Sequence, residues 1–378
     1  MCFSVKEINI DTLYWTGMDL NSSTTEHVMK RSNGIQQRVT MQDIARQTGY
    51  SVNTVSHALR NKDDIARETR ERIQQVAREM GYMGNQIASS LRSGRTRTLA
   101  VILGNMSNPF YGIMTDTIQD AAAVRDYSLL IMCSRDRPDL EEQMVETAVA
   151  RRVDGILLFP TNESLRTVER LNALGIPFVL MSRALGDGIA DSVTSDDVQG
   201  AYLAVNHLIQ SGRRNLAFLS HLPIVYSYEK RLEGFNRACD AAGIPREDRH
   251  TYVHFNPARD EVPALDWYAS MTNRLLRWRE AGVDGLFVFC DEEAWHVQSV
   301  LQQTPALQGW DVGIVSFDNI QGTQHFPADL CSVDCNFSEM ARQGIDLLRD
   351  RIHGDDRPPQ SVVCPVRLVC RSSCRPKA

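Results

Sequence analysis

Val39–Leu59 reads VTMQDIARQTGYSVNTVSHAL, the pattern of two short helices joined by a tight turn. Thr40 followed three residues later by Asp43 opens a capping box, and Met41, Ile44 and Ala45 then form one apolar face. Gly49 ends that pattern, and Ser51 can cap a second helix that turns Val52, Val55 and Leu59 inward. Asn53, Thr54, Ser56 and His57 are left on the outer face. Short hydrogen-bonding side chains on an exposed helix suit base edges and the phosphates beside them, so the stretch reads as a DNA-binding helix-turn-helix. Any small helical bundle also contains short amphipathic helices, and the neighbouring sequence decides between the two readings.

Ile65 leads into a third helical pattern, Ile73, Val76, Ala77 and Met80, ended by Gly81. Three such helices close a core. The segment NQIASSLRSGRTRT that follows is polar and basic and reads as a linker or as a short helix that forms on a partner. Its Arg95 and Arg97 are expected to act mainly through charge. Residues 38–98 hold 11 Lys+Arg against 6 Asp+Glu, leaving 30 against 41 for the rest of a chain whose net charge is −6. The basic surplus therefore sits on the segment expected to meet phosphates, while the acidic remainder repels nucleic acid.

VTMQDIARQTGYSVNTVSHAL, RETRERIQQVAREMGY and NQIASSLRSGRTRTLAVIL closely resemble the DNA-binding region of the lactose/galactose repressor family of bacterial transcription regulators. SNPFY, RRVDGILLFP, IPFVLMSR, SDDVQGAYLAVNHLIQSGRRNLAFLS, RLEGF and VGIVSFDNI carry the resemblance from roughly Arg38 to Arg371 in the family's order. It implies that Val52, Asn53 and His57 enter the major groove. Val52 can touch a thymine methyl, Asn53 can pair with adenine, and His57 can donate to guanine. Family members often carry Arg at the His57 position, so the resemblance does not carry the preferred base over to this chain. Thr40, Ser51, Thr54, Ser56 and Thr69 read as phosphate anchors or caps. Asn85, Ala88 and Leu91 match a hinge helix whose leucine wedges into the minor groove, with a plain linker as the other reading. Ala66 stands where a capping Ser is common.

From Leu99 the runs LAVIL, SLLIM, GILLF, PFVLM, LAFLS, GLFVF and VGIVSF alternate with helical segments, as in parallel sheets covered on both faces. No GxGxxG follows the first run, which disfavours a dinucleotide enzyme. The expected fold is a small all-α helix-turn-helix domain (38–83), a hinge or linker (84–98), and an α/β two-lobed periplasmic-binding-protein-like domain with two Rossmann-like parallel sheets (99–378). By resemblance the N-lobe comprises about 99–194 and 323–350, and the C-lobe about 195–322 and 351–378. Residues 1–37 read as a disordered extension or an over-long start.

Such folds bind ligands beyond the strand C-termini. That places Asn108, Phe110, Ser182, Arg183, Asp291 and Asp318 in the crevice, and Arg231 of RLEGF matches an effector-binding arginine of the family. Arg and Asp forks suit vicinal sugar hydroxyls, and Phe110 can stack on a sugar face. Arg183 is equally readable as a brace, Asn108 as a helix cap and Phe110 as packing. Ser182 stands where many members have Asp, and Cys290 where many have Asn, which points to an effector that is larger, less hydroxylated or differently seated. If Arg231 and Asp318 serve only the ligand, replacing either removes effector binding and spares DNA affinity.

The nine cysteines are scattered and no secretory signal precedes them, which points to reduced thiols in the cytoplasm. Cys331, Cys335, Cys370 and Cys374 could supply four thiolates, but their stretch reads as strand, helix and strand rather than a zinc module. No metal or cofactor is expected, and no apolar run approaches the ~20 residues that span a bilayer. The whole describes a transcription regulator, a repressor by resemblance. Its expected partners are a near-palindromic double-stranded operator, a sugar-like effector and a second copy of the chain. The competing class is a sugar-handling enzyme or receptor that retains the two-lobed fold; Asp291 and Asp318 could serve as acid and base, but no nucleophile motif accompanies them.

Overall fold

A computed structural model of the protein describes residues 39–82, 94–161, 164–186, 188–220, 226–253, 264–320 and 329–376. The extension 1–37 and the hinge positions Asn85, Ala88 and Leu91 lie outside them. The chain divides into two compact units, Met1–Gln86 and Ile87–Ala378.

The first unit holds α1 (Met41–Thr48), α2 (Val52–Leu59) and α3 (Arg67–Glu79). Ile44, Val55, Ala58, Ile73 and Ala77 are its buried core. Every capping feature expected of α1 is present: Asp43 N–H donates to Thr40 Oγ1 at 3.3 Å, and Thr40 N–H donates back to Asp43 Oδ2 at 2.9 Å. Gly49 then takes φ 77, a left-handed conformation that costs glycine nothing, and its N–H closes onto Ala45 O at 2.9 Å. Ala66 precedes α3 with no side-chain cap. Ala66→Ser is therefore expected to stabilise this unit by about 1 kcal/mol, read as a rise in its unfolding transition by circular dichroism on the full chain.

The second unit opens with β1 (Thr98–Leu103), α4 (Pro109–Ala123), β2 (Ser128–Cys133), α5 (Pro138–Ala150), β3 (Gly155–Leu158), α6 (Leu165–Leu174), β4 (Phe178–Met181) and β5 (Ser192–Ser195). It continues through α7 (Asp197–Gln210), β6 (Leu216–Ser220), α8 (Tyr226–Ala241), β7 (Arg249–Val253), α9 (Ala264–Glu280), β8 (Gly285–Val288), α10 (Asp291–Gln303), β9 (Gly313–Asp318) and β10 (Cys331–Asp334). The last elements are α11 (Phe337–Ile352), β11 (Ser361–Cys364) and β12 (Arg367–Val369). They form two six-stranded sheets, ordered β11-β5-β4-β3-β1-β2 and β12-β10-β9-β8-β6-β7. All pairs are parallel except β10 with β12. The runs from LAVIL to VGIVSF are strands, and all but the half-exposed edge strand SLLIM are buried on both faces between helices.

The strand pairing corrects the expected lobe boundaries. Cys331–Asp334 pairs with Val315–Asp318, so this strand belongs to the C-lobe and the second crossing falls at 335–336 rather than at 322. α11 packs on the N-lobe, where Leu348 covers Gly155, and Ser361–Cys364 pairs with Ser192–Ser195. The third crossing therefore lies at 365–366 rather than at 350. Pro365, which has no N–H to continue a ladder, separates two strands that join different sheets. Arg95 and Arg97 also depart from the free-charge reading. Arg95 Nη2 donates to Ile352 O at 3.1 Å, and the Arg97 guanidinium lies 5.6 Å from the Tyr127 ring centroid.

Candidate DNA-reading helix and effector site

The outer face of α2 is narrower than the sequence reading gave it. Its buried residues are Val55, Ser56 and Ala58. Ser56 is thus off the reading face; its hydroxyl accepts from Arg60 Nη2 at 2.6 Å. Val52, read as inward, projects instead and is 44% exposed, because the first turn of α2 extends past the bundle core. Ser51 Oγ accepts the Thr54 N–H at 3.1 Å and also meets the Thr54 hydroxyl at 2.9 Å, so both are engaged in the cap. Asn53 is exposed. His57 is held by a group the sequence reading did not include: its Nδ1 lies 2.6 Å from Asp64 Oδ2. The two are seven positions apart, but the helix ends at Leu59, so the helical repeat does not carry from His57 to Asp64.

At the head of the two-lobed unit, Arg231 on α8 is buried between carboxylates. Its Nε donates to Asp197 Oδ1 at 2.8 Å, its Nη1 to Phe289 O at 2.5 Å, and its Nη2 lies 3.6 Å from Asp318 Oδ1. The guanidinium also sits 3.7 Å from the Phe317 ring centroid and 4.4 Å from that of Phe289. Burial disfavours its charge, but Asp197 and Asp318 outweigh burial and keep the proton on. Asp197 was missed by sequence reading, since nothing in SDDVQG separates it from a capping residue. Asp196 is the cap, accepting from Gln199 N–H at 2.9 Å, and frees Asp197 to turn inward. Asp197 Oδ2 is buried and makes no hydrogen bond of normal length among the described residues.

The N-lobe candidates divide. Asn108 Oδ1 accepts from Phe110 N–H at 2.9 Å as the cap of α4, and Phe110 packs edge-on against Tyr111, Phe337 and Phe159. Ser182 takes φ 67 and donates its N–H to Val193 O at 2.8 Å, while Arg183 Nη1 donates to Pro160 O at 2.9 Å. Tyr111 is buried among these groups, edge-on to Phe110 and Phe159. Burial pushes its phenol up to about 12, Arg183 opposes that shift, and Asp136 and Asp318 add to it.

Asp291, read as a ligand contact, turns inward in the structure. It is fully buried, accepts from the Ser332 hydroxyl at 2.6 Å, from the Ile320 N–H at 2.8 Å and from the Ser316 hydroxyl, and so ties α10 to β9 and β10. Burial, then the charge of Asp318, raises its carboxyl to about 7, against the pull of those three donors. A raised carboxyl holds its proton more tightly folded than unfolded, so its contribution to stability falls as pH rises from about 4 through 7. Asp291→Asn should cancel this fall. The variant's melting temperature relative to the parent's is expected to climb between pH 5 and pH 8 in calorimetry.

Three family models match the chain in order. Residues 40–85 match bacterial regulatory proteins of the lacI family, and residues 96–268 match the periplasmic binding proteins and sugar binding domain of the LacI family. Residues 205–374 match a periplasmic binding protein-like domain. The chain belongs to the LacI family. Its relatives include the HTH-type transcriptional repressor PurR of Actinobacillus pleuropneumoniae serotype 3 (strain JL03), 25% identical over 339 residues that cover 89% of this chain and 98% of that one. Catabolite control protein A of Priestia megaterium is 28% identical over 338 residues, covering 89% and 99%. Among solved structures, a lac repressor dimer bound to operator and the anti-inducer ONPF superposes with a TM-score of 0.74 at 19% identity, covering 90% of this chain and all of the other. A complex of the regulator CelR with cellobiose gives 0.63 at 24%, covering 89% and 100%. This LacI-family chain is a DNA-binding transcription regulator controlled by a small-molecule effector. No helix among the described residues is long and apolar enough to cross a membrane.

Proposed function

We propose that this regulator is a cytoplasmic repressor that binds a near-palindromic operator as a homodimer and releases or tightens it on binding a sugar or sugar derivative between its lobes. The observation that carries the DNA half is the first turn of α2, where Val52 and Asn53 project from a capped helix and Asp64 holds His57 beside them. Thr40, Ser51 and Thr54 lie next to this face and serve its phosphates through their N-terminal turns. One such head makes too few contacts for tight specific binding, whereas two match a two-fold site.

For the effector, the loose Arg231–Asp318 contact at 3.6 Å and the unbonded Asp197 Oδ2 together present donors and acceptors to vicinal hydroxyls. Arg183, with Tyr111 beside it, meets the ligand from the N-lobe, and Asn108, Phe110 and Ser182 shape that wall. The match of residues 96–268 to the sugar binding domain of the LacI family, with the cellobiose complex of a structural relative, favours a carbohydrate.

Gel shifts with DNA flanking the chain's own gene, repeated with a panel of mono- and disaccharides, test both halves. A discrete complex whose midpoint moves with one sugar is expected. Binding no tighter than to random DNA, or a monomer in sedimentation with operator present, would sink the reading.

A further inference from the structure

Three cysteines of the C-lobe converge on one histidine that neither the DNA-reading face nor the effector site uses. β10 and β12 run antiparallel, with Val333 opposite Leu368 and Ser332 opposite Val369. Cys331 opens β10 and Cys370 follows the last residue of β12, so the same register continued by one step sets them opposite each other. Side chains alternate along a strand, so this pair shares a face with Val333 and Leu368, which pack into the core with Ala201, Ala204, Val205 and Leu208 of α7. His207, from the same helix, enters there: its Nδ1 lies 3.8 Å from Cys370 Sγ. Cys331 Sγ accepts the Arg371 N–H at 3.0 Å, and Cys374 Sγ meets the Ser211 hydroxyl at 3.3 Å. Cys370 is exposed, Cys331 is fully buried and Cys374 nearly so.

We propose that Cys370 and Cys331 form a hydroperoxide-responsive thiol pair, with Cys370 as the sulfur that meets the oxidant and Cys331 as the sulfur that resolves it. Facing residues of antiparallel strands have Cα atoms about 4.5–5.5 Å apart, inside the range a disulfide spans. Cys370 is the accessible member and has an imidazole at its sulfur; Cys331 is shielded and aligned behind it, the division of labour expected of a sensing and a resolving cysteine. The charge state agrees with the geometry. Cys331 and then Cys374 raise His207 to about 10, which keeps its ring positive near neutrality. Burial works against a Cys331 thiolate, but His207, the Arg371 N–H and Ser373 bring it down to about 7.

The chemistry balances with a hydroperoxide as oxidant. The Cys370 thiolate attacks one peroxide oxygen, the O–O bond breaks, and hydroxide or alkoxide leaves while the sulfur becomes a sulfenic acid. The Cys331 thiolate then attacks that sulfur, the S–O bond breaks, and hydroxide departs to take up a proton as water. A shared metal ion fits the cluster poorly. One ring edge of His207 faces Cys370 and the thiols that raise its proton affinity include the buried pair, while Cys335 turns away to Asp318 at 3.7 Å. Among the described residues no group of three or more His, Cys, Asp or Glu is placed to hold a metal. The disulfide would tie β12, the strand entered from the third lobe crossing, to β10.

The full chain treated with a small excess of hydrogen peroxide, alkylated and mapped under non-reducing conditions tests this. A Cys331–Cys370 linked peptide that dithiothreitol dissolves is expected. Cys331→Ser should stop the reaction at a Cys370 sulfenic acid that dimedone captures, Cys370→Ser should abolish the link, and His207→Gln should slow it more than tenfold. Thermal melting of each variant separates loss of chemistry from loss of fold. Peptides joining Cys374 to either partner, or Cys370 oxidised no faster in the parent than in His207→Gln, would overturn the assignment.

Discussion

Arg231→Ala is expected to lower the free energy of unfolding by about 3–5 kcal/mol, because it leaves Asp197 and Asp318 buried without their counter-charge. Both carboxylates are at most about one-twentieth exposed, so water cannot take over the role of the guanidinium. The rings of Phe289 and Phe317 lose their stacking partner as well. This changes what the variant can teach. A residue serving only a ligand would leave stability intact, whereas Arg231 holds the entry of α7 to the end of β8 and to β9 before any effector arrives. Asp318→Asn is the cleaner probe of binding. Its contact to Arg231 is the long one, so the fold should survive while a hydroxyl loses a charged acceptor, weakening effector binding by more than tenfold. Urea denaturation at pH 7 and calorimetry with the identified sugar read the two quantities separately. Parental stability in Arg231→Ala would mean that the two carboxylates are solvated or protonated in the folded state.

What the sequence made legible follows from how far apart the interacting residues lie. The helix-turn-helix is read at once because each step of its caps and apolar stripes joins residues no more than four apart, as in Thr40 with Asp43. The long apolar strands are equally plain. β5, SVTS, was not among the strands read, because a fully buried strand with three hydroxyl residues carries no hydrophobic signature. β7, RHTYV, was missed as a half-exposed edge. Without β5 and the split at Pro365, the lobe crossings could only be borrowed from the family and fell some 13 to 15 residues early. The site shows the same division. Arg231 and Asp318 stand in recognisable contexts, but Asp291 occupies an equivalent place after a strand and turns inward, because Ser316 and Ser332 supply it with hydroxyls that only the folded sheet brings together. Asp197 and Asp64 were invisible for the converse reason: each acquires its role from a partner 34 and seven positions away.

Asn53→Ala is expected to weaken operator binding by about 1–3 kcal/mol, with far less effect on random DNA and little change in salt slope, since an amide reads base edges and releases no counterions. His57→Ala should cost a similar amount, and the contact with Asp64 predicts how. With Nδ1 as the donor to Asp64 Oδ2, the neutral ring presents Nε2 as an acceptor, suited to the amino groups of adenine or cytosine; the protonated ring presents it as a donor, suited to guanine. The carboxylate fixes the ring's tautomer and orientation. Asp64→Asn keeps the shape of the contact but removes that charge. Selection of bound sequences from a randomised half-site should then show a relaxed or altered preference at the one base pair facing His57, while the base pair facing Asn53 is unchanged. Removing a negative charge beside phosphate should at the same time strengthen binding to random DNA. An Asp64→Asn protein that selects the parental sequence at every position would show that His57 reads no base, and equal weakening of operator and random DNA by Asn53→Ala would show the same of Asn53.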